Sequence, residues 1–140
     1  MTDTGRKLRE KSFTFATYIV KLAKSLENER KDRTLSRQIL RSGTSIGANI
    51  RESRFAQSPS DFISKLSIAL KEAEETQYWL ELLLETDYLA RDQYTSLNEQ
   101  VDWLIGTLVN VVKSSKRSLR YASRDCPPPP PPLRLNYLTT

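Results

Sequence analysis

The stretch SPSDFISKLSIALKEAEETQYWLELLL, residues 58–84, decides the fold class. Its first residues are a helix start written in side-chain chemistry. Ser58 supplies a capping hydroxyl, Pro59 occupies the first helical position, where its missing N–H is not needed, and Asp61 sets a carboxylate three residues after the cap. Phe62, Leu66, Ala69, Ala73, Thr76, Leu80 and Leu83 then recur in alternating steps of four and three, a heptad-like seam. Ile63, Leu70 and Leu84 add a second apolar flank. A helix with two apolar flanks touches more than one neighbour.

The same rhythm continues on both sides. Ahead of the stretch, Leu35, Ile39, Ser42, Ile46, Ile50 and Ser53 fall on one side of a helix expected over about Leu35 to Ala56, with Thr34 as its cap. Its middle is unusually small: Ser42, Gly43, Thr44, Ser45, Gly47 and Ala48. A glycine costs roughly 1 kcal/mol against alanine inside a helix, so two so close together point to close packing of another backbone. Earlier still, Phe15, Ile19, Leu22 and Leu26 share one face of a helix from about Arg6 to Asn28, which Phe13, Val20 and Ala23 widen. Beyond the turn at Thr86-Asp87-Tyr88, Leu97, Val101, Leu104, Leu108, Val111, Ser115 and Leu119 carry the pattern to about Tyr121. One proline, Pro59, interrupts residues 6–126. Four long helices with short connectors predict an all-α fold: an antiparallel up-and-down four-helix bundle over residues 1–122, with Leu35, Ile39, Ile46, Ile50, Leu66, Ala73, Leu80, Leu104 and Leu108 inside. Residues 123–140, with Pro127 to Pro132 in a row, are expected to be a disordered or loosely docked tail. Pro129, Pro132 and Arg134 match a PxxPxR pattern, a match that any proline run produces readily.

Composition excludes much chemistry. The chain has no histidine and one cysteine among 140 residues. Triads, Cys-His pairs, a zinc site and an internal disulfide are therefore out of reach. The carboxylates of the third helix evoke a di-iron bundle, but such a site needs histidines. No catalytic residues, metal or cofactor are expected, and the protein is expected not to be an enzyme. The longest aliphatic run is Leu82-Leu83-Leu84, and the start, Met1 to Arg6, has no apolar segment, so a cytoplasmic protein without a membrane span is expected.

Charge is segregated along the chain. Residues 1–60 hold 13 basic and 6 acidic side chains, residues 61–110 hold 3 and 10, and residues 111–140 hold 6 and 1. With a net charge of +5 and a pI near 9.4, this reads either as an electropositive region for nucleic acid or as charge pairing between helices. If the second and third helices form a hairpin turning near Ser58, Glu52 comes opposite Lys65, Ser45 opposite Glu72, and Arg41 near Glu75. Arg41, Ser45, Ala48 and Glu52 then form one edge, and Lys65, Ile68, Glu72, Glu75 and Trp79 the matching one. That arrangement is a structural polar edge setting register. Asn49, beside Ile46 and Ile50, is a further register-setting polar group. Arg37 and Arg51 lie further round the second helix, with Thr44 and Ala48 between them. With Lys113, Lys116, Arg117 and Arg120 they are the candidate phosphate contacts; the competing reading is a solvated basic surface.

Arg37-Gln38-Ile39-Leu40-Arg41-Ser42 and Ser45-Ile46-Gly47-Ala48-Asn49-Ile50-Arg51-Glu52, followed by a Ser/Pro connector, Asp61-Phe62, Ala69 and Glu75, resemble the signature of a bacterial four-helix-bundle family. The family is named for intervening sequences inserted in 23S ribosomal RNA genes, and the resemblance covers roughly residues 11–118. It departs at Lys71-Glu72, where the family pattern has small residues. The resemblance implies a homopentameric barrel with a basic surface, relatives that act as nucleic-acid-binding accessory proteins of retroelements, and no enzymatic activity. The expectation is a homo-oligomeric nucleic-acid binder, RNA first. The alternative is a protein-interaction and assembly module with no nucleic-acid role.

Overall fold

The computed structural model describes residues 2–123. Among them, α1 spans Asp3–Asn28, α2 Arg33–Ser53, α3 Pro59–Glu85 and α4 Arg91–Ala122, with no strand. Apart from Ser123, the expected proline-rich tail over 123–140 lies outside the described residues.

The helix starts follow capping chemistry. Ser58 Oγ accepts a 3.0 Å hydrogen bond from the Asp61 N–H, and the Asp61 carboxylate in turn accepts one from the Gln57 N–H at 3.1 Å. α1 begins one turn earlier than its apolar pattern, because Thr2 Oγ1 caps it by accepting from the Gly5 N–H at 3.0 Å. α2 is capped by Asp32 and not by Thr34: the Asp32 carboxylate accepts from the Leu35 N–H at 2.9 Å. A carboxylate at the positive end of the helix has a charge advantage over a hydroxyl two residues on. α2 also ends at Ser53, short of the expected Ala56. There the chain tightens into i→i+3 bonds from Arg54, Phe55 and Ala56, which turns Ala56 into the core.

Connectors of four or five residues force each helix to run back along its predecessor. α1 packs on α2, α2 on α3, α3 on α4, and α4 closes on α1 through the smallest interface; α1–α3 and α2–α4 are the diagonal pairs, whose backbones nowhere come within 8 Å, Cα to Cα, among the described residues. One pole therefore gathers the starts of α1 and α3 with the ends of α2 and α4. The other pole holds the two remaining turns, where Arg30 Nη2 donates to the Asp87 carbonyl at 2.6 Å and its guanidinium lies 5.1 Å from the Tyr88 ring. Lys31 and Asp87 take positive φ in these turns.

The core contains Phe15, Ile19 and Leu26 of α1, Ile39, Ile46 and Ile50 of α2, Leu66, Ala73 and Leu80 of α3, and Val101, Leu104 and Leu108 of α4. Three sequence expectations change. Leu35 and Leu22 are only half-buried, near the ends of their helices' inner faces. Phe13 does not widen the buried face of α1: it is 59% exposed, rotated off the Phe15–Ile19 stripe toward the outer side of the α1–α2 seam. The second flank of α3 is largely used inside the chain, since Ile63 is buried and Leu70 packs on the same core. That flank alone does not call for a partner copy.

The small residues of α2 admit α1. A Cβ added at Gly43 would stand 2.6 Å from Ile19 Cγ2, and Ile19 is fully buried. At Gly47 the nearest atom is the Ser12 hydroxyl, 3.2 Å away, while at Gly106 nothing lies within 4 Å. Gly43→Ala is expected to destabilise by about 1–3 kcal/mol through overpacking, and Gly106→Ala to stabilise by roughly 0.5–1 kcal/mol through helix propensity. Leu66→Ala should cost about 2–5 kcal/mol. Urea unfolding of the three variants checks the order, and equal stabilities for Gly43→Ala and Gly106→Ala would refute the close approach of α1.

Candidate nucleic-acid interface

The ionic side chains of the bundle divide into a set that is neutralised by neighbours and a set that is not. The neutralised set runs down the α2–α3 seam. Arg41 pairs with Glu75 through Nη2, and its Nη1 stands 3.5 Å from Glu72 Oε2, an oxygen buried beneath it. Glu75 also accepts from Trp79 Nε1 at 3.2 Å. One turn from the hairpin, Lys65 faces Glu52 at 3.5 Å. Ser45 Oγ donates to the Arg41 carbonyl at 2.6 Å, and Asn49 Nδ2 to the Ser45 carbonyl at 2.8 Å, so both bond within α2 instead of reaching across. Beneath this edge the Ser42 and Thr76 hydroxyls meet 2.9 Å apart in the interior. The residue numbers of the facing pairs Arg41–Glu75, Ser42–Thr76 and Glu52–Lys65 sum to 116, 118 and 117, as one antiparallel register requires, so charge and size select the same pairing of α2 with α3.

The second set includes the six candidate phosphate contacts, Arg37, Arg51, Lys113, Lys116, Arg117 and Arg120, and also Lys11, Lys21, Lys24, Lys71 and Arg91. All six are exposed, and among the described residues none has a carboxylate within ion-pair distance. Lys113, Lys116, Arg117 and Arg120 are spaced i, i+3, i+4, i+7 and so share one face of α4, where with Leu119 they line a shallow groove. Arg120 lies in the last turn, where a cation also favours the negative end of the helix. Arg51 sits near the end of α2, at the same pole. Arg37 does not join them: it lies fourteen residues earlier on α2, roughly 21 Å along the axis. Because α2 and α4 are diagonal, the expected stripe is two separate basic areas in one chain, a pole that includes Arg51 and an isolated Arg37. Arg6 and Lys7 also sit at this pole but are occupied. Hydrogen bonds from Arg6 and then Lys7 hold the Asp3 carboxyl below the usual carboxylate range, and Glu10 lies 3.4 Å from Arg6.

Sequence reading missed two arginine–aromatic contacts. The Arg51 guanidinium lies 5.8 Å from the Phe13 ring centroid across the α1–α2 seam, and that of Arg54 lies 5.7 Å from the Phe55 ring. The Arg54-Phe55 adjacency was a signal in the sequence; the Phe13–Arg51 contact depends on α1–α2 register and was not. Among the described residues no group of three or more His, Cys, Asp or Glu is placed to hold a metal ion, and no helix is long and apolar enough to cross a membrane.

The two kinds of polar contact differ in energetic weight. Thr76→Val keeps the shape but removes the donor to the Ser42 hydroxyl, which retains only its 3.4 Å bond to the Ile39 carbonyl, and is expected to cost about 1–2 kcal/mol. Lys65→Gln removes an ion pair that is largely exposed, and should cost less than about 1 kcal/mol. The reverse order in denaturant titrations would mean that the ionic edge, not the hydroxyl pair, holds the seam.

The comparisons with known proteins bear on this arrangement. No curated protein matches the chain. A crystal structure from Bacteroides thetaiotaomicron, described as a protein with unknown function from the S23 ribosomal protein family, is similar over 79% of this chain and 98% of its own, at 54% identity and a TM-score of 0.77. The family profile described as 23S rRNA-intervening sequence protein matches residues 6–110, which contain the α2 signature, the Ser58 cap and the whole α2–α3 seam. The chain belongs to the 23S rRNA-intervening sequence protein family.

Proposed function

We propose that the protein is a non-enzymatic, homo-oligomeric nucleic-acid-binding protein of the cytoplasm, acting on RNA in the first place. It contacts backbone phosphates with little sequence preference. The observation that carries this reading is a clustering of cations: Lys113, Lys116, Arg117 and Arg120 line one groove on α4, exposed and without a carboxylate partner among the described residues, whereas Arg41, Lys65 and Arg6 have such partners. Clustered unpaired cations on one helix face suit a polyanion, whose neutralised phosphates release counterions. The family's name, which ties it to 23S rRNA, is in keeping with RNA.

The assembly we propose is a pentamer. Ile68 and Tyr78 of α3 are exposed apolar side chains available for subunit contacts. A ring would repeat the basic pole, and weak phosphate contacts would add through effective concentration. The same exposed side chains favour the second reading, an assembly module that binds only protein.

Replacing Lys116, Arg117 and Arg120 together by glutamine should weaken binding to RNA and DNA of all sequences alike, reduce the slope of log K against log salt by roughly 2–3, and leave thermal unfolding unchanged. Filter binding across a salt series measures both quantities. If the parent chain binds neither polymer at low salt while sedimenting as an oligomer, the protein-only reading takes its place; a monomer at micromolar concentration would remove the pentamer.

A further inference from the structure

The chain has four phenylalanines, and they divide evenly. Phe15 and Phe62 are buried, whereas Phe13 is 59% and Phe55 66% exposed. A lone exposed apolar side chain needs no explanation. Here two exposed rings each lie beneath a guanidinium, Arg51 over Phe13 and Arg54 over Phe55, and the two arginines are three residues apart at the end of α2. Both units lie toward the C-terminal end of α2, the end of the bundle at which α4, the helix diagonal to α2, also ends with its unpaired cations and Tyr121, itself 39% exposed.

We propose that the end of α2 binds single-stranded nucleic acid, stacking unpaired bases on Phe13 and Phe55 while the adjacent Arg51 and Arg54 hold the phosphates. The proposal rests on the phosphate-binding reading above and deepens it by naming the strand state of the ligand. The chemistry is direct. A phenyl ring offers a π-face to any base, so stacking is tolerant of sequence, and a guanidinium beside it neutralises the phosphate that follows the stacked base. In a duplex the base faces are already stacked on one another and cannot reach a ring on a protein surface. Phosphate contacts alone do not separate single strands from duplexes; exposed rings do. Of the two units only Arg54-Phe55 is visible along the sequence, because Phe13 meets Arg51 only through the α1–α2 packing.

The test is a fluorescence-anisotropy titration of the full chain at one salt concentration. It has four probes of equal length: oligouridine, oligothymidine, a duplex, and an abasic deoxyribose-phosphate strand. The parent should bind both single strands about tenfold or more tighter than the abasic strand. The double variant Phe13→Ser/Phe55→Ser, whose changes lie on the surface, should lose that advantage, keep its salt slope, and bind the duplex as the parent does. Phe13→Trp/Phe55→Trp should restore single-strand binding. Tighter binding of oligouridine than of oligothymidine would identify RNA as the source of the strand, and equal binding would identify any unpaired strand; both support the proposal. Equal single-strand affinity of the double variant and the parent overturns it and leaves the phosphate reading standing. A parent that binds the abasic strand as well as oligouridine does the same. A double variant that keeps its affinity but sediments as a smaller species also overturns it, because the rings would then belong to contacts between copies. A parent that binds none of the four probes fails both readings together.

Discussion

The bundle depends on how thin α2 is. Gly43 lets the fully buried Ile19 of α1 lie where a Cβ would otherwise be, and on the next face of the same turn Ser42 meets Thr76 of α3. One helix turn thus sets two seams at once, by the absence of bulk on one side and by a hydroxyl pair on the other. Larger side chains here would push α1 outward, and the α1–α4 closure, already the smallest interface, would have to span the gap. The glycines' helix-propensity cost is offset by this close approach.

That constraint also sorts the charges. With α2 and α3 in register, Arg41 is drawn onto Glu72 and Glu75, and Lys65 onto Glu52. These two cations are offset by neighbouring carboxylates, so they add little to the basic character of the surface. The cations of late α4 belong to a part of the chain with a single acidic residue after position 110, Asp125, and find no carboxylate among the described residues. Whether a basic residue is a structural partner or a free charge is decided by which helix lies next to it, and not by the residue itself.

This explains what was and was not legible in the sequence. The cap at Ser58-Pro59, the α3 and α4 seams and the α2–α3 register could be read, because each is set by local spacing or by a hairpin with a short turn. The same holds for the family signature in α2. The exposure of Phe13 was legible as well, and widening the inner face to include it was the error: two residues from Phe15 it lies about 200° round the helix, so the two rings cannot share a face. The choice of Asp32 over Thr34 as cap turned on the chain's path out of α1, where the Asp32 N–H bonds back to the Leu26 carbonyl. The grouping of Arg37 with the α4 cations failed because helical periodicity says which face a residue is on but not which helices are diagonal. The candidate site was therefore legible as a list of residues and not as a surface.

The contact between Arg30 and the Asp87 carbonyl has a kinetic consequence. The three hairpin seams join helices adjacent in sequence, so most native contacts are local, and a topology of low contact order folds fast. The α1–α4 seam is the exception, since it closes a loop through the whole chain. Arg30 ties the first turn to the last across 57 residues, using a guanidinium that bonds a backbone carbonyl and also lies over Tyr88. It acts as a latch on the one seam whose closure entropy is large and whose packing is slight. Opening of the folded protein would then begin where α1 meets α4, with the α2–α3 hairpin as the last part to come apart.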